Sequence, residues 1–360
     1  MPDFTSVLYL GMHHGHEALR PWRHLTTGRP AALGAFDRAG RLADRLALLM
    51  GHEAAALGTS TLHLFWDLFE VLSTDGIAIH VDAATYPIAR WGVERAAARG
   101  VRVSSFAKHD VGALLANLSR ESEGIRPVVV TDGLCPLTGQ PAPLQDYAGL
   151  CRTFDAVLVV DDTQGLGLFG RRPTADAPYG RDGAGTAAWC AARSPELVVV
   201  SSLAKAFGAP LAVIAGSASW IERFKTASLT RIHCSPPSMA AVSAGEDALA
   251  LNEKEGPARR RRLLALIDLF RCGLGRLGLA AHGGLFPFQT LKRPKGEAAV
   301  SLYARLLREG VRTVLHRAEN GGRALVSFVF TCLHTPRDIA CALDALACCG
   351  APNLRTRLAS

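Results

Sequence analysis

Several things are missing from this 360-residue chain, and each absence removes a class of protein. No stretch is long and apolar enough to cross a bilayer as a helix. Residues 1–15 show neither a cationic start nor a sustained apolar run, so no secretory signal is expected and the expected location is the cytoplasm. The nine cysteines, from Cys135 to Cys349, are odd in number, scattered and without a CxxC pair. A disulfide framework or a zinc site is therefore not expected, and the thiols should be reduced and mostly buried. Internal repeats and low-complexity segments are also lacking. His13, His14 and His16 cluster near the amino end, but no cysteine accompanies them; they read as part of a polar arm, with no metal expected.

What is present is the profile of a globular protein with a substantial core: 49% hydrophobic and 20% charged residues. The length exceeds that of a usual single domain. The expected division is an arm over 1–35, a large α/β domain over 36–238 and a small α+β domain over 239–360. Forty lysines and arginines against 32 acids give a net charge of +8, carried mostly by arginines spread along the chain. That balance suits phosphate-rich partners such as coenzyme A or an acyl carrier protein. Neither nucleic acid nor a membrane is expected. The one dense run, Arg259 to Arg262, opens an amphipathic helix and reads as a solvated face.

From residue 37 the pattern alternates. Helical spacing over 37–50 and 62–72 is followed by short aliphatic runs at 77–81, 101–105, 127–131, 157–161, 197–201 and 212–216, with helical stretches at 90–99, 111–119 and 144–154 between them. The runs are uninterrupted, as strands in a parallel sheet covered on both faces must be. Beyond residue 238 two helices (239–251 and 258–274), three strands (286–291, 312–315 and 324–330) and a last helix (336–347) are predicted.

In an open parallel sheet, ligands bind beyond the carboxyl ends of the strands. Three predicted strands end in Thr131-Asp132, Asp161-Asp162 and Ser201-Ser202, with Lys205 three residues past the last. A desolvated lysine amine is a nucleophile towards aldehydes. An acid can pair with a protonated pyridine nitrogen, and Gly58-Thr59-Ser60-Thr61 before a helix makes an anion cradle. Lysine, acid and cradle together point to pyridoxal phosphate (PLP). Gly165-Leu-Gly-Leu-Phe-Gly170 also mimics a dinucleotide fingerprint, but it follows the middle of the sheet and leaves Lys205 without a role.

The segment from Val157 to Gly170, with Asp161-Asp-Thr-Gln164 and Gly167, resembles the acid box of the α-oxoamine synthases, PLP enzymes of fold type I grouped with class I/II aminotransferases. Ser201-Ser-Leu-Ala-Lys205-Ala-Phe-Gly208 resembles their lysine box. Thr131 to Gly139 with Pro143-Leu144, Phe106 to Asp110, and Ser235-Pro-Pro237 are similar to three further segments. The resemblance runs from about Arg38 to the carboxyl end. It implies a mostly parallel central sheet with helices on both faces plus a smaller α+β domain. Lys205 would bind the cofactor covalently and Asp161 the ring nitrogen. Ser60, Thr61 and Ser202 would hold the phosphate. Ser235 would reach the site of a partner subunit in a homodimer.

The departures bear on function. Tyr86 stands where a stacking histidine is expected; it keeps an aromatic face, but a proton-relay group is lost. Gln164 replaces the histidine that contacts the cofactor's phenolic oxygen, Pro136 replaces a serine near it, and Leu211 replaces a glycine. The stretch between Gly170 and Leu197 is longer than usual. Ser327 falls where an arginine clamps the substrate carboxylate, leaving Arg317 and Arg323 as candidate substitutes. Condensation of an amino acid or amine carbanion with an acyl thioester and transamination of an amino substrate both stay open. A PLP fold without catalysis is a third reading.

Overall fold

The computed structural model describes residues 1–18, 21–317 and 322–350. The chain divides into two compact units. Met12–Cys135 with Pro141–Gly256 form the larger; Met1–Gly11, Pro136–Gln140 and the chain from Pro257 on form the smaller. The segment expected as an amino-terminal arm is thus shared between them.

The larger unit is built on seven strands: β1 (Ala54–Gly58), β2 (Ile77–Asp82), β3 (Arg102–Phe106), β4 (Arg126–Asp132), β5 (Val157–Asp161), β6 (Leu197–Ser202) and β7 (Ala212–Gly216). Their order is β1-β7-β6-β5-β4-β2-β3. From β6 across to β3 every pairing is parallel. β7 runs antiparallel between β6 and β1. Every residue of β5 is buried, whereas edge strand β3 exposes Arg102, Val103 and Ser105. A strand covered on both faces must be apolar throughout, and an edge strand need not be. β1 was not predicted: Ala54-Ala55-Ala56 has little intrinsic strand preference, and pairing with β7 decides its state.

Helices α1 (Asp37–Met50), α2 (Thr61–Leu72) and α3 (Pro87–Ala98) follow expectation within a few residues. Ser60 caps α2 by accepting from the His63 N–H, and proline opens α3. The apolar face of α2 (Leu64, Phe65, Leu68, Phe69) joins the aliphatic face of the sheet in one core. Gly92 lets α3 approach it closely, since a Cβ there would stand 2.6 Å from the Phe69 ring.

The smaller unit has an antiparallel sheet of β8 (Ala281–His282), β9 (Phe288–Leu291), β10 (Val314–Arg317) and β11 (Ala324–Val329), in the order β8-β9-β11-β10. Phe4, Phe270, Phe328 and Phe330 form its aromatic core, with ring centroids 4.9–5.4 Å apart. Phe4 is held by backbone bonds to Arg312 and Val329, which ties the amino end into this unit. A helix over Glu297–Arg308 lies where none was predicted.

Three expectations are corrected. The two helices on either side of Pro257 are one, Met239–Arg276. Proline removes one helical hydrogen bond and crowds the preceding turn, but buried Val242, Ala248 and Leu249 before it and Leu263, Ile267 and Phe270 after it anchor both halves. The arginine run is only in part a solvated face, with Arg261 and Arg262 exposed. Arg260 is buried, Arg259 donates to the Leu10 and Gly11 carbonyls, and Arg262 to those of Cys332 and His334. The cysteines are not mostly buried: Cys234, Cys272, Cys341 and Cys348 are exposed, three of them on the outer faces of helices. Among the described residues no helix is long and apolar enough to cross a membrane, and no cluster of metal-ligating side chains occurs.

Candidate active site

The carboxyl ends of β4, β5 and β6 meet at a cavity of about 210 Å³. It is lined by Thr61, Tyr86, Ile88, Asp132, Asp161, Thr163, Gln164, Ser202 and Lys205. Strand register makes this possible: Asp132 lies opposite Asp161, and Asp161 opposite Val200. The turn after β6 then returns Lys205 to the same edge.

Each side chain is fixed by its neighbours. Asp161 accepts from the Thr163 N–H at 2.9 Å, and Thr163 Oγ1 accepts from the Ser202 N–H at 3.1 Å. Thr163 therefore ties the acid segment to the lysine segment. Asp132 accepts from the Tyr86 N–H at 3.0 Å. Asp82 holds the preceding loop by accepting from the Ala84 and His109 N–H groups and the Tyr147 hydroxyl. Tyr86, half exposed, thus presents its ring at the cavity mouth. Behind Asp161, Asp162 is buried and accepts from the Thr186 N–H at 2.7 Å. A Cβ on Gly165 or Gly185 would stand 2.3 or 2.1 Å from the Asp162 carboxylate, so only glycine fits beside it.

The electrostatics follow from burial. Desolvation pushes the Lys205 amine below the ordinary lysine value, and Asp161 and Asp132 oppose the shift. Desolvation raises Asp161, against the Thr163 bonds and the Lys205 charge. It also raises Asp132, with the Asp161 charge adding to it. Two buried carboxylates thus face one amine. A cation placed among them would relieve the excess of acceptors.

Of the residues singled out from sequence, Lys205, Asp161, Thr61, Ser202, Gln164 and Tyr86 share this cavity. Ser60 does not line it; its hydroxyl lies 2.8 Å from His63 Nδ1 at the cap of α2. Ser235 is exposed and borders a separate cleft of about 20 Å³ with Thr59, His63 and Arg231. Arg317 and Arg323 belong to the smaller unit, where Arg317 ends β10 and Arg323 precedes β11, both exposed. Ser327 is fully buried in β11, bonded to His316 Nε2 at 2.7 Å and Thr290 Oγ1 at 2.9 Å. Asp132, Thr163 and Ile88 were not selected from sequence, although Asp132 ends a predicted strand, the one signal that could have found it. The glycines at 165, 167 and 170 open no helix: the chain turns there, with Phe169 N bonded to Gly165 O. The dinucleotide reading fails on that geometry.

The model of the aminotransferase class I and II family matches residues 17–346. The chain belongs to this family. A curated 8-amino-7-oxononanoate synthase from Marinobacter nauticus is 34% identical over 251 residues, 68% of this chain and 60% of that protein. The match to this relative spans about three fifths of its length. Among solved structures, a serine palmitoyltransferase from S. paucimobilis with bound PLP and myriocin has a TM-score of 0.84 at 19% identity, covering 97% of this chain and 87% of that one. An 8-amino-7-oxononanoate synthase from Francisella tularensis has a TM-score of 0.74 at 17% identity, covering 96% and 97%. At these identities the structural likeness concerns the fold. The mostly parallel α/β fold and the resemblance to α-oxoamine synthases are both borne out.

Proposed function

We propose that this family member is a PLP-dependent transferase of the α-oxoamine synthase kind, joining the carbon of an amino acid or amine to the acyl group of a thioester. The observation that carries this reading is Lys205 in one buried cavity with Asp161 and Asp132, a single amine facing two acids. The cavity fits the cofactor, because a protonated ring nitrogen beside Asp161 relieves that imbalance. Tyr86 and Ile88 offer flat and apolar surface for its ring. When bound, the cofactor supplies an electron sink for charge developing on the carbon next to the substrate nitrogen.

The rest falls to the chain's own residues. Burial favours the neutral Lys205 amine, which is the form that takes a proton from the substrate carbon. Asp161, held by Thr163, keeps the ring nitrogen protonated. Thr61, at the amino end of α2, and Ser202 hold the phosphate through hydroxyls and backbone N–H groups. Gln164 donates to the phenolic oxygen. Arg317 and Arg323, the candidates for the substrate carboxylate, are exposed in the smaller unit. Ser235 serves a neighbouring copy in a homodimer, and the net charge of +8 suits an acyl donor on coenzyme A or a carrier protein.

The test mixes the PLP-loaded protein with a panel of amino acids and acyl thioesters, following thiol release and, separately, keto acid formation. Thiol release that requires the amino acid supports condensation. Keto acid formation without thiol release establishes transamination, the reading favoured by the absence of an arginine at Ser327.

A further inference from the structure

His14, one of the three clustered histidines, lies against the lysine turn. Its side chain is 4% exposed. Nδ1 stands 2.7 Å from the Asp247 carboxylate and Nε2 stands 2.6 Å from the Phe207 carbonyl oxygen. A carbonyl only accepts, and so does an ionised carboxylate. A neutral imidazole carries a single N–H and can satisfy one of these contacts; satisfying both takes a hydrogen on each nitrogen.

The Phe207 carbonyl is two residues beyond Lys205, within the turn closed by Gly208 N–H to Lys205 O at 3.2 Å and Ala209 N–H to Leu203 O at 3.1 Å. Gly208 has φ 62°, and a Cβ there would stand 2.0 Å from the Met12 carbonyl oxygen. Residues 12–14 therefore lie directly on the turn. Asp247 comes from the helix Met239–Arg276, next to Glu246, which is paired with Arg38 of α1. Other charged or titratable groups near these in sequence are Lys205 on the turn, the exposed His13, His16 and Glu17 on the amino-terminal segment, and Glu253 further along the helix.

We propose that His14 is a positioning residue for Lys205: as an imidazolium bridging Asp247 and the Phe207 carbonyl, it fixes the turn that presents the lysine to its cofactor. This rests on the reading of Lys205 as the cofactor lysine. Histidine is suited to the place because, when doubly protonated, it donates in two opposed directions at once, whereas glutamine at this distance satisfies one acceptor.

The experiment loads wild type, His14→Ala, His14→Gln and Asp247→Asn with PLP. It measures the cofactor dissociation constant, the visible circular dichroism of bound cofactor and the melting temperature of the apo-protein. Borohydride reduction and peptide mapping report which residue carries the cofactor. Losing a charge-assisted bond should weaken cofactor binding about 10-fold in His14→Ala and less in Asp247→Asn. The circular dichroism should change, the apo melting temperature should stay within a few degrees, and His14→Gln should recover part of the loss. Nitrogen NMR of the wild-type ring at neutral pH should show both nitrogens protonated. Cofactor on Lys205 with unchanged affinity and dichroism in the variants would overturn the positioning role alone, as would a bare ring nitrogen in the NMR. If His14→Ala does not fold, Asp247→Asn decides by the same measurements. Cofactor mapped away from Lys205 in the wild type would take down the proposed function, and this inference with it.

Discussion

The strand ends around Lys205 and the strand that carries Ser327 have kept the family pattern to different degrees. Around Lys205 the acid, the amine and the hydroxyls converge on one cavity, and even the replacements, Tyr86 and Gln164, stay at its wall. In β11 the clamp position is a serine with no exposed surface, consumed by bonds to His316 and Thr290 that hold the small sheet together. Under the proposed function the first region answers to the cofactor, whereas the second answers to its own packing and to the substrate.

The largest effect expected is at the amine. Lys205→Ala should lose the yellow colour of bound cofactor and lower turnover by at least about 10³-fold. Retention of both would remove the contrast altogether, since the first region would then carry no chemistry. Asp161→Asn comes next: cofactor stays bound while kcat drops roughly 10²-fold, because the ring nitrogen loses the charge that keeps it protonated. Full activity in that variant would break the assignment.

On the other side, Ser327→Arg sharpens the comparison. A charge at a fully buried sheet position should destabilise the fold by roughly 3 kcal/mol, read from urea unfolding, without improving the use of amino acids. A stable variant with a lower KM for amino acids would show that the position still faces substrate. A last test concerns Asp162, which burial raises from 3.8 to about 7. The folded state then holds this proton more tightly than the unfolded one. Its contribution is complete below about 3.8 and is lost as pH rises to about 7. Asp162→Asn should flatten apo-protein stability across that window. An unchanged slope would mean that Asp162 is ionised in the folded protein.

Sequence alone determined the aliphatic strands, because burial on both faces leaves no polar position. It determined Lys205 and Asp161 too, because a strand end delivers its next residues to a known edge of the sheet. Helical spacing also placed the helices Thr61–Leu72 and Pro87–Ala98, the second only from residue 90 on. What it did not determine depends on partners distant in the chain. β1 becomes a strand only by pairing with β7. Arg260 leaves solvent, and Arg259 in part, only because core and carbonyls lie within their reach. Ser60 turned out to serve a helix cap beside the cavity, while Thr163 and Asp132 entered the site through bonds to Ser202 and Tyr86. His14 is the extreme case: its partners stand 193 and 233 residues away. Local sequence carries propensity and pattern, but the pairing of a buried polar group is settled only when the tertiary structure brings its acceptor within hydrogen-bonding distance.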